Sequence, residues 1–145
     1  MINIICIGKI KEDYLNQLIS DYKSRINKYH KLNIIELKDN EDIEKETKEF
    51  LKYFNPKEYN IALTIEGKKY NSVNFSKHID SLFMHNGTIN FFVGASNGIS
   101  KDIVNKCDEE ISFSDLTFPH GLFRGILLEQ IYRSFKINNN ERYHK

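Results

Sequence analysis

Features that mark secreted, disulfide-bonded and membrane-spanning proteins are absent from this chain. It has only two cysteines in 145 residues, and their spacing gives neither a disulfide framework nor a zinc site. No apolar run approaches the roughly 20 residues that a membrane-spanning helix needs. The N-terminal MINIICIGKIKEDY lacks a basic n-region and a small-residue cleavage site, so we expect no secretory signal. These absences predict a cytoplasmic protein with no membrane partner.

The chain also lacks an excess of either charge. Its 21 Lys+Arg and 20 Asp+Glu leave a formal net charge of +1, which disfavours a protein that coats free nucleic acid as a monomer. The charges are unevenly placed, with five acids in residues 41–50 and five cations against two acids in residues 117–145. Solvated helix faces explain this skew as readily as a basic functional surface does.

Residue patterns of metal centres and of serine hydrolases are missing as well. The five histidines show no HExxH or paired spacing and the cysteines do not join them, so we predict no metal site. GxSxG is absent, which argues against the hydrolase nucleophile elbow. His78 falls on the apolar stripe of a predicted helix, and we expect it to be a packing residue rather than a ligand.

The sequence does contain a regular alternation of strand-like and helix-like hydrophobic periods. This order is typical of a parallel sheet with helices on both faces. The length fits one domain, 1–145, with no linker or repeat dividing it. A turn is expected at Gly67, and Ser100 is expected to cap a helix. The predicted strands are 2–8, 32–37, 60–66, 88–93 and about 111–113, and the predicted helices are 11–28, 41–54, 73–85, 100–107 and 119–136.

The last predicted helix is apolar over far more than the roughly 100° stripe of a surface helix. Either it lies centrally in the core of a monomer, or one face packs on its own sheet and another on a second subunit. For a domain of this size we favour the second arrangement, which predicts a homodimer. The apolar residues are Leu122, Phe123, Ile126, Leu127, Leu128, Ile131, Tyr132 and Phe135.

Three segments are candidates for ligand binding. Residues 94–98 (Gly-Ala-Ser-Asn-Gly) and 112–120 each follow a strand, and ligands of open α/β sheets bind beyond the carboxyl ends of the strands. The first segment permits close approach of backbone to ligand, and the second suits either an adenine slot or the capped start of a helix. The third segment is the tail, residues 138–145. Terminal residues are usually disordered, but this tail ends in residue types that pair with phosphates and stack on bases.

Several segments together resemble the family of bacterial ribosomal RNA large subunit methyltransferase H. They are IICIGKIKEDY, FVGASNGISKD, SFSDLTFPHGLFRGILLEQIYRSFKI and the terminal YHK. The resemblance runs end to end in order, is most specific in the final third and is weakest near 38–58. The family commonly has Gly-Gly-Ser-Asn-Gly where this chain has Ala95 in the second position, and one added methyl group should not abolish cofactor binding.

The resemblance implies the SPOUT class of fold, an α/β three-layer sandwich with a mostly parallel sheet and a C-terminal trefoil knot. Knots are rare exceptions to ordinary chain connections, and periodicity alone predicts an unknotted sheet. The resemblance also implies a homodimer that uses S-adenosylmethionine (SAM) as cofactor. Its implied substrate is N3 of a pseudouridine in helix 69 of 23S rRNA, methylated on the assembled ribosome.

The resemblance further implies three sets of site residues. In the tail, His144 is expected to accept the imide proton unless solvent takes it, Tyr143 to contact the base, and Arg142 to stabilise the developing oxyanion. Contacts with RNA phosphates are expected from Arg124, Arg133 and Lys145. The cofactor is expected to contact Leu63, Gly94, Phe113, Ser114, Asp115, Leu116, Thr117 and Phe118.

Three other functions stay open on the sequence. A non-enzymatic ribosome-docking module would have no affinity for SAM. A SPOUT transfer RNA methyltransferase is opposed by the missing accessory RNA-binding domain and by the terminal YHK. A Rossmann-type nucleotide-binding enzyme is opposed by the absence of the glycine fingerprint.

Overall fold

Residues 1–95 and 98–145 are described by the computed structural model of the chain. Within them, five strands alternate with five helices in the predicted order, which confirms the α/β class. The elements are β1 (Ile2–Ile7), α1 (Asp13–Ile26), β2 (Leu32–Leu37), α2 (Ile43–Leu51), β3 (Tyr59–Lys69), α3 (Ser72–His85), β4 (Ile89–Val93), α4 (Lys101–Lys106), β5 (Glu109–Ser112) and α5 (His120–Asn138).

The five strands form one parallel sheet in the order β2-β1-β4-β3-β5. β4 lies at the centre, and all of its residues are buried. A strand covered on both faces has a continuous apolar sequence rather than an alternating one, as INFFV shows. Because all strands run in the same direction, their carboxyl ends meet at one edge of the sheet.

Helices cover both faces of the sheet and so form three layers. Ile2, Ile4 and Cys6 of β1 join the larger core with α1, α3 and α5. Ile5 and Ile7 point the other way and join the smaller core with α2 and α4. Burial raises the pKa of the Cys6 thiol to about 11, so this cysteine is a protonated packing residue rather than a reactive one.

The predicted turn at Gly67 is wrong, because β3 continues through this residue to Lys69. A β-carbon at Gly67 would lie 2.7 Å from the main chain of Glu110 and Ile111 in β5. Glycine therefore lets two backbones approach closely, and the pairing of β3 with β5 shifts register between Leu63 and Lys68. The glycine signal was correct, but it marks an irregularity within a strand.

α5 is buried between α1 and α3 on one face of the sheet. Gly125 permits close packing with α1, since a β-carbon there would lie 2.6 Å from Leu18 Cδ2. Much of the apolar surface of α5 is therefore buried within one chain, while Leu122 in its first turn is 37% exposed. The homodimer inferred from this surface stays a prediction.

Helix capping and side-chain pairing follow local chemistry. Ser100 caps α4 as predicted, with Oγ accepting a hydrogen bond from Ile103 N (3.5 Å). The His78 ring stacks on Tyr70 at 5.1 Å and pairs with Glu109, so it is a satisfied packing residue as expected. In residues 1–95 and 98–145, no helix is long and apolar enough to cross a membrane. The same residues contain no cluster of three or more His, Cys, Asp or Glu that would hold a metal ion.

Candidate active site

A cavity of about 850 Å³ lies at the carboxyl edge of the sheet, where β4 ends beside residues 63–66 of β3. Its walls combine the strand ends, the loop after β4, the loop after β5 and the first turn of α5. Parallel sheets bind ligands at this edge, and cavities of about 300–1,000 Å³ are typical of small-molecule sites. The lining residues are Leu63, Thr64, Ile65, Glu66, Val93, Gly94, Ala95, Gly98, Ile99, Phe113, Ser114, Leu116, Thr117, Phe118, Pro119, His120 and Phe123.

Gly94 leaves no room for a side chain at the start of the loop after β4. A β-carbon there would lie 2.4 Å from the carbonyl oxygen of Gly98. Gly98 N donates a hydrogen bond to Ala95 O (2.9 Å), and Gly98 itself has a φ of +72°, in the region that favours glycine. The two glycines together close a tight loop against the cavity. Ser96 and Asn97, also part of the candidate segment, lie outside the described residues.

The loop between β5 and α5 presents both backbone and apolar groups to the cavity. Ser114 Oγ accepts a hydrogen bond from Leu116 N (2.9 Å), and its carbonyl accepts one from Ser112 Oγ (3.2 Å). Leu116 lines the cavity and is 71% exposed, so its apolar side chain is accessible to a ligand there. Phe113 anchors the loop by edge-on contacts with Phe75 and Phe123.

The structure brings seven of the eight expected cofactor residues together around this one cavity. Asp115 is the exception, because its carboxylate points outward and pairs with Lys69 Nζ at 2.5 Å. The sequence did not assign Glu66 or Phe123 to the site, although both line the cavity, and it included His120 only as the last residue of the candidate segment 112–120. The available signals were the position of Glu66 at the end of the predicted strand 60–66 and that of Phe123 in the first turn of a helix.

The tail folds back onto α1 and α5 rather than extending away. Tyr143 Oη donates to Glu129 Oε1 (3.2 Å) and lies 3.4 Å from Tyr22 Oη, and its ring packs edge-on against Tyr132. Burial and the neighbouring Tyr22 hydroxyl raise the pKa of Tyr143, so its hydroxyl stays protonated at neutral pH. Tyr143 is thus a structural anchor of the tail in this conformation.

Arg133 lies at the centre of the tail contacts. Its guanidinium pairs with Glu129, lies 4.8 Å from the centre of the Tyr143 ring, and donates to His144 Nδ1 (3.0 Å). A guanidinium only donates hydrogen bonds, so Nδ1 accepts in this contact. A neutral imidazole held in this way carries its proton on Nε2 and presents a donor, not a base, to its surroundings.

Arg124 occupies a position unlike the one expected for an RNA contact. Its side chain is 2% exposed, and Nη2 donates to the carbonyl oxygens of Ile7 (2.6 Å) and Gly8 (2.7 Å) at the end of β1. Nη1 donates to Glu36 Oε2 (2.8 Å) in β2. The guanidinium therefore ties α5 to two strand ends, and no phosphate can reach it in this conformation.

The cavity and the tail lie at opposite ends of α5 in a single chain. This helix has 19 residues and is about 28 Å long at 1.5 Å per residue. His120 in its first turn lines the cavity, whereas Arg133 near its end contacts the tail. The structure thus collects the expected cofactor residues and the expected catalytic residues into two groups, and does not bring the groups together within one chain.

Known proteins resemble this chain over nearly its whole length. The family described as "Predicted SPOUT methyltransferase" matches residues 1–144. The "Ribosomal RNA large subunit methyltransferase H" of Fusobacterium nucleatum subsp. nucleatum is 50% identical over 153 residues, covering 99% of both chains. The protein of the same name from Malacoplasma penetrans is 42% identical over 156 residues, again covering 99% of both.

A solved structure agrees at the level of the fold. It is titled "The structure of a probable methylase family protein from Haemophilus influenzae Rd KW20", and it is similar with a TM-score of 0.59 over 99% of this chain and 70% of that chain. At 10% identity this likeness concerns the fold alone. The sequence matches also establish the family: this chain belongs to the SPOUT methyltransferase family and, within it, to the ribosomal RNA large subunit methyltransferase H group.

Proposed function

We propose that this protein transfers the methyl group of SAM to N3 of a pseudouridine in helix 69 of 23S rRNA on the assembled ribosome. The observation that carries the proposal is the cavity at the carboxyl edge of the sheet, lined by seven residues that the family resemblance assigns to the cofactor. Relatives that cover 99% of the chain are named as large-subunit rRNA methyltransferases, which favours this RNA class.

The residues around the cavity fit SAM. Leu63 and Phe118 offer apolar walls for the adenine, and Gly94 lets the main chain approach a ligand where any side chain would collide with Gly98. The carboxylate of Glu66 lines the same cavity and can accept hydrogen bonds from hydroxyl or ammonium groups. When bound, SAM supplies an electrophilic sulfonium methyl group. The protein then has to align the target nitrogen and exclude water.

The target imide nitrogen has to lose its proton before or during transfer. His144 is the expected acceptor, but its contact with Arg133 leaves the proton on Nε2. Catalysis by His144 as a base therefore requires that it leave Arg133, which frees Nδ1. Arg142 is exposed beside it and can stabilise negative charge that develops on the uracil ring.

Two copies of the chain are needed for this reaction in our proposal. The cavity and the tail are separated along α5, by on the order of 20 Å between its first turn and Arg133. A homodimer in which the tail of one chain faces the cavity of the other would unite them. We further propose that the C-terminal part of the chain forms a trefoil knot, in which residues 113–119 thread through the loop after β4. We also propose that the enzyme acts in the cytoplasm, where ribosomes are found.

Labelled SAM mixed with intact ribosomes, and separately with naked rRNA, tests the proposal. We expect label to enter the 23S rRNA of intact ribosomes, at a nucleotide that mass mapping identifies as N3-methylated pseudouridine. Removal of residues 143–145 should abolish transfer without weakening SAM binding measured by calorimetry. No label in either substrate together with no SAM binding would instead indicate a docking module. Label that enters transfer RNA in a third, separate mixture, with none in rRNA, would indicate a transfer RNA methyltransferase.

A further inference from the structure

Positive charge is concentrated in two segments that are distant in sequence. Residues 21–31 hold four cations and one acid, and residues 129–145 hold four cations and two acids. The two segments therefore carry +3 and +2, so the rest of a chain with net charge +1 carries −4. We call the surface formed by these two segments the basic face.

The two segments lie side by side in the fold. Tyr29 Oη donates to Glu141 Oε1 (2.8 Å), and the Tyr29 ring stacks on Phe135 at 5.3 Å. The Tyr22 ring lies 5.9 Å from that of Tyr132. Contacts along the last turns of α1 and α5 thus join the segments into one continuous surface.

Aromatic rings and cations are interleaved on the basic face. The Arg25 guanidinium lies 5.5 Å from the ring centres of both Tyr22 and Tyr132. Lys136 Nζ also lies 5.5 Å from the centre of the Tyr132 ring. Arg25 pairs with Asp21 (3.1 Å) and Lys136 with Glu141 (2.9 Å), so these contacts fix the two cations in the interior of the face, and its binding capacity depends on the unpaired cations around them.

Four further cations on this face are exposed and uncompensated. Within the part of the chain that the structure describes, their side chains have no hydrogen-bond or ion-pair partner. An exposed cation without an internal partner is free to pair with a phosphate and to release its counterions. The residues are Lys28, Lys31, Arg142 and Lys145.

Negative charge lies on the other side of the sheet. Residues 37–49 hold six acids and three lysines, a net charge of −3, and they include α2. α2 belongs to the layer opposite α1 and α5. The small net charge of the whole chain therefore results from two opposite contributions, one from a basic side and one from an acidic side of the molecule.

We propose that the basic face docks on the rRNA backbone, with residues 21–31, at the end of α1 and in the turn that follows it, contacting phosphates beside the nucleotide that the tail approaches. This inference rests on the proposed function, because the docking partner is the ribosome that carries the target base. It adds residues 21–31 as a second, non-catalytic RNA contact beside the tail. The acidic side faces away from RNA and prevents docking in the reverse orientation.

A pair of matched double variants tests this docking surface. Lys28→Gln with Lys31→Gln removes two cations from the basic face, and Lys45→Gln with Lys48→Gln removes two exposed cations from α2. Both change the net charge equally. For the first pair we expect a roughly 5- to 10-fold rise in KM for intact ribosomes at low salt, and a salt slope of log(1/KM) reduced by about 1 to 2, since each phosphate contact contributes about 0.7–0.9. The α2 pair should match the wild type.

Three measurements keep the outcomes apart. SAM affinity by calorimetry and Tm should be unchanged in both pairs, which shows that they fold. Equal KM and salt slope in the two pairs, with active wild type, would refute the basic face but leave the proposed function intact. Wild type that transfers no label to ribosomes would refute the proposed function itself. A change in dimer dissociation for the first pair alone, measured by sedimentation, would show that the face contacts a second copy and would overturn the RNA assignment.

Discussion

Replacement of Arg124 by methionine tests whether this side chain stabilises the packing of α5 against the carboxyl ends of β1 and β2. Methionine keeps much of the length of the side chain but cannot donate a hydrogen bond. The substitution removes the donor of Ile7 O, Gly8 O and Glu36 Oε2. All three acceptors lie at the carboxyl ends of β1 and β2, and their loss of a donor should separate α5 from this edge.

The magnitude follows from burial. A buried acceptor left without a partner costs about 1–3 kcal/mol, and loss of one member of a buried ion pair about 3–5 kcal/mol. The Glu36 side chain is 35% exposed, so water can solvate its carboxylate and most of the ion-pair contribution is lost to screening. The two carbonyls then dominate. We expect Arg124→Met to lower the free energy of unfolding by about 3 kcal/mol and Tm by roughly 6–12 °C.

Urea unfolding and a thermal scan at fixed protein concentration measure this change. Glu36→Gln is the matched control, because it keeps an acceptor for Arg124 Nη1 and should cost only about 1 kcal/mol. A free energy for Arg124→Met within 1 kcal/mol of wild type would refute the reasoning. Stability equal to wild type combined with weaker ribosome binding would show that Arg124 contacts RNA, as the family resemblance implied.

Three further predictions concern single side chains. Gly94→Val should abolish SAM binding measured by calorimetry, because the β-carbon of the valine would lie 2.4 Å from Gly98 O. The control Ala95→Gly should leave the affinity for SAM nearly unchanged. Tight SAM binding by the valine variant would contradict the loop geometry. Glu46 is buried with Oε1 unpartnered in the described part of the chain, and burial raises its pKa. Burial raises the carboxyl pKa of Glu46, so its ionisation penalises the folded state at neutral pH, and Glu46→Gln should raise Tm at pH 7. The gain should fade as the pH falls through the raised pKa toward the ordinary value of 4.5; an equal gain at every pH would exclude ionisation as the cause. Tyr143→Phe removes the hydrogen bond to Glu129 and should lower kcat for ribosomes more than it changes the KM for SAM, and equal effects on both would argue against a role of the tail apart from the cavity.

Local sequence patterns predicted the elements of this fold well. Each strand and helix is encoded by hydrophobic periods a few residues long, and the cap at Ser100 depends on its immediate neighbours. The order of the strands and the extension of β3 through Gly67 depend on pairing between distant segments. Composition and period contain no information about such pairing, which is why these features were missed.

In the candidate site, too, features that depend on local sequence were predicted, and features that depend on distant contacts were not. The cavity was predicted because strand ends and glycine-containing loops mark the ligand edge of a parallel sheet, and the family resemblance named residues there. Arg124 was assigned to RNA phosphates because a guanidinium binds such groups well. Its burial depends on two carbonyls from the first strand, which no local pattern around position 124 reveals. The contact of His144 with Arg133 is equally invisible to sequence.

The strand order also has a consequence for how the protein is made. β1 is synthesised first, yet one of its two neighbours in the sheet is β4, and the carbonyls at its end await Arg124 in the last helix. The growing chain therefore leaves one edge of β1 unpaired until β4 has been made, and it leaves the carbonyls of Ile7 and Gly8 without their donor until α5 has been made. Contacts that close over such long sequence separations form slowly. The interval in which Ile2–Ile7 has a free edge is thus the time when this strand is most exposed to aggregation.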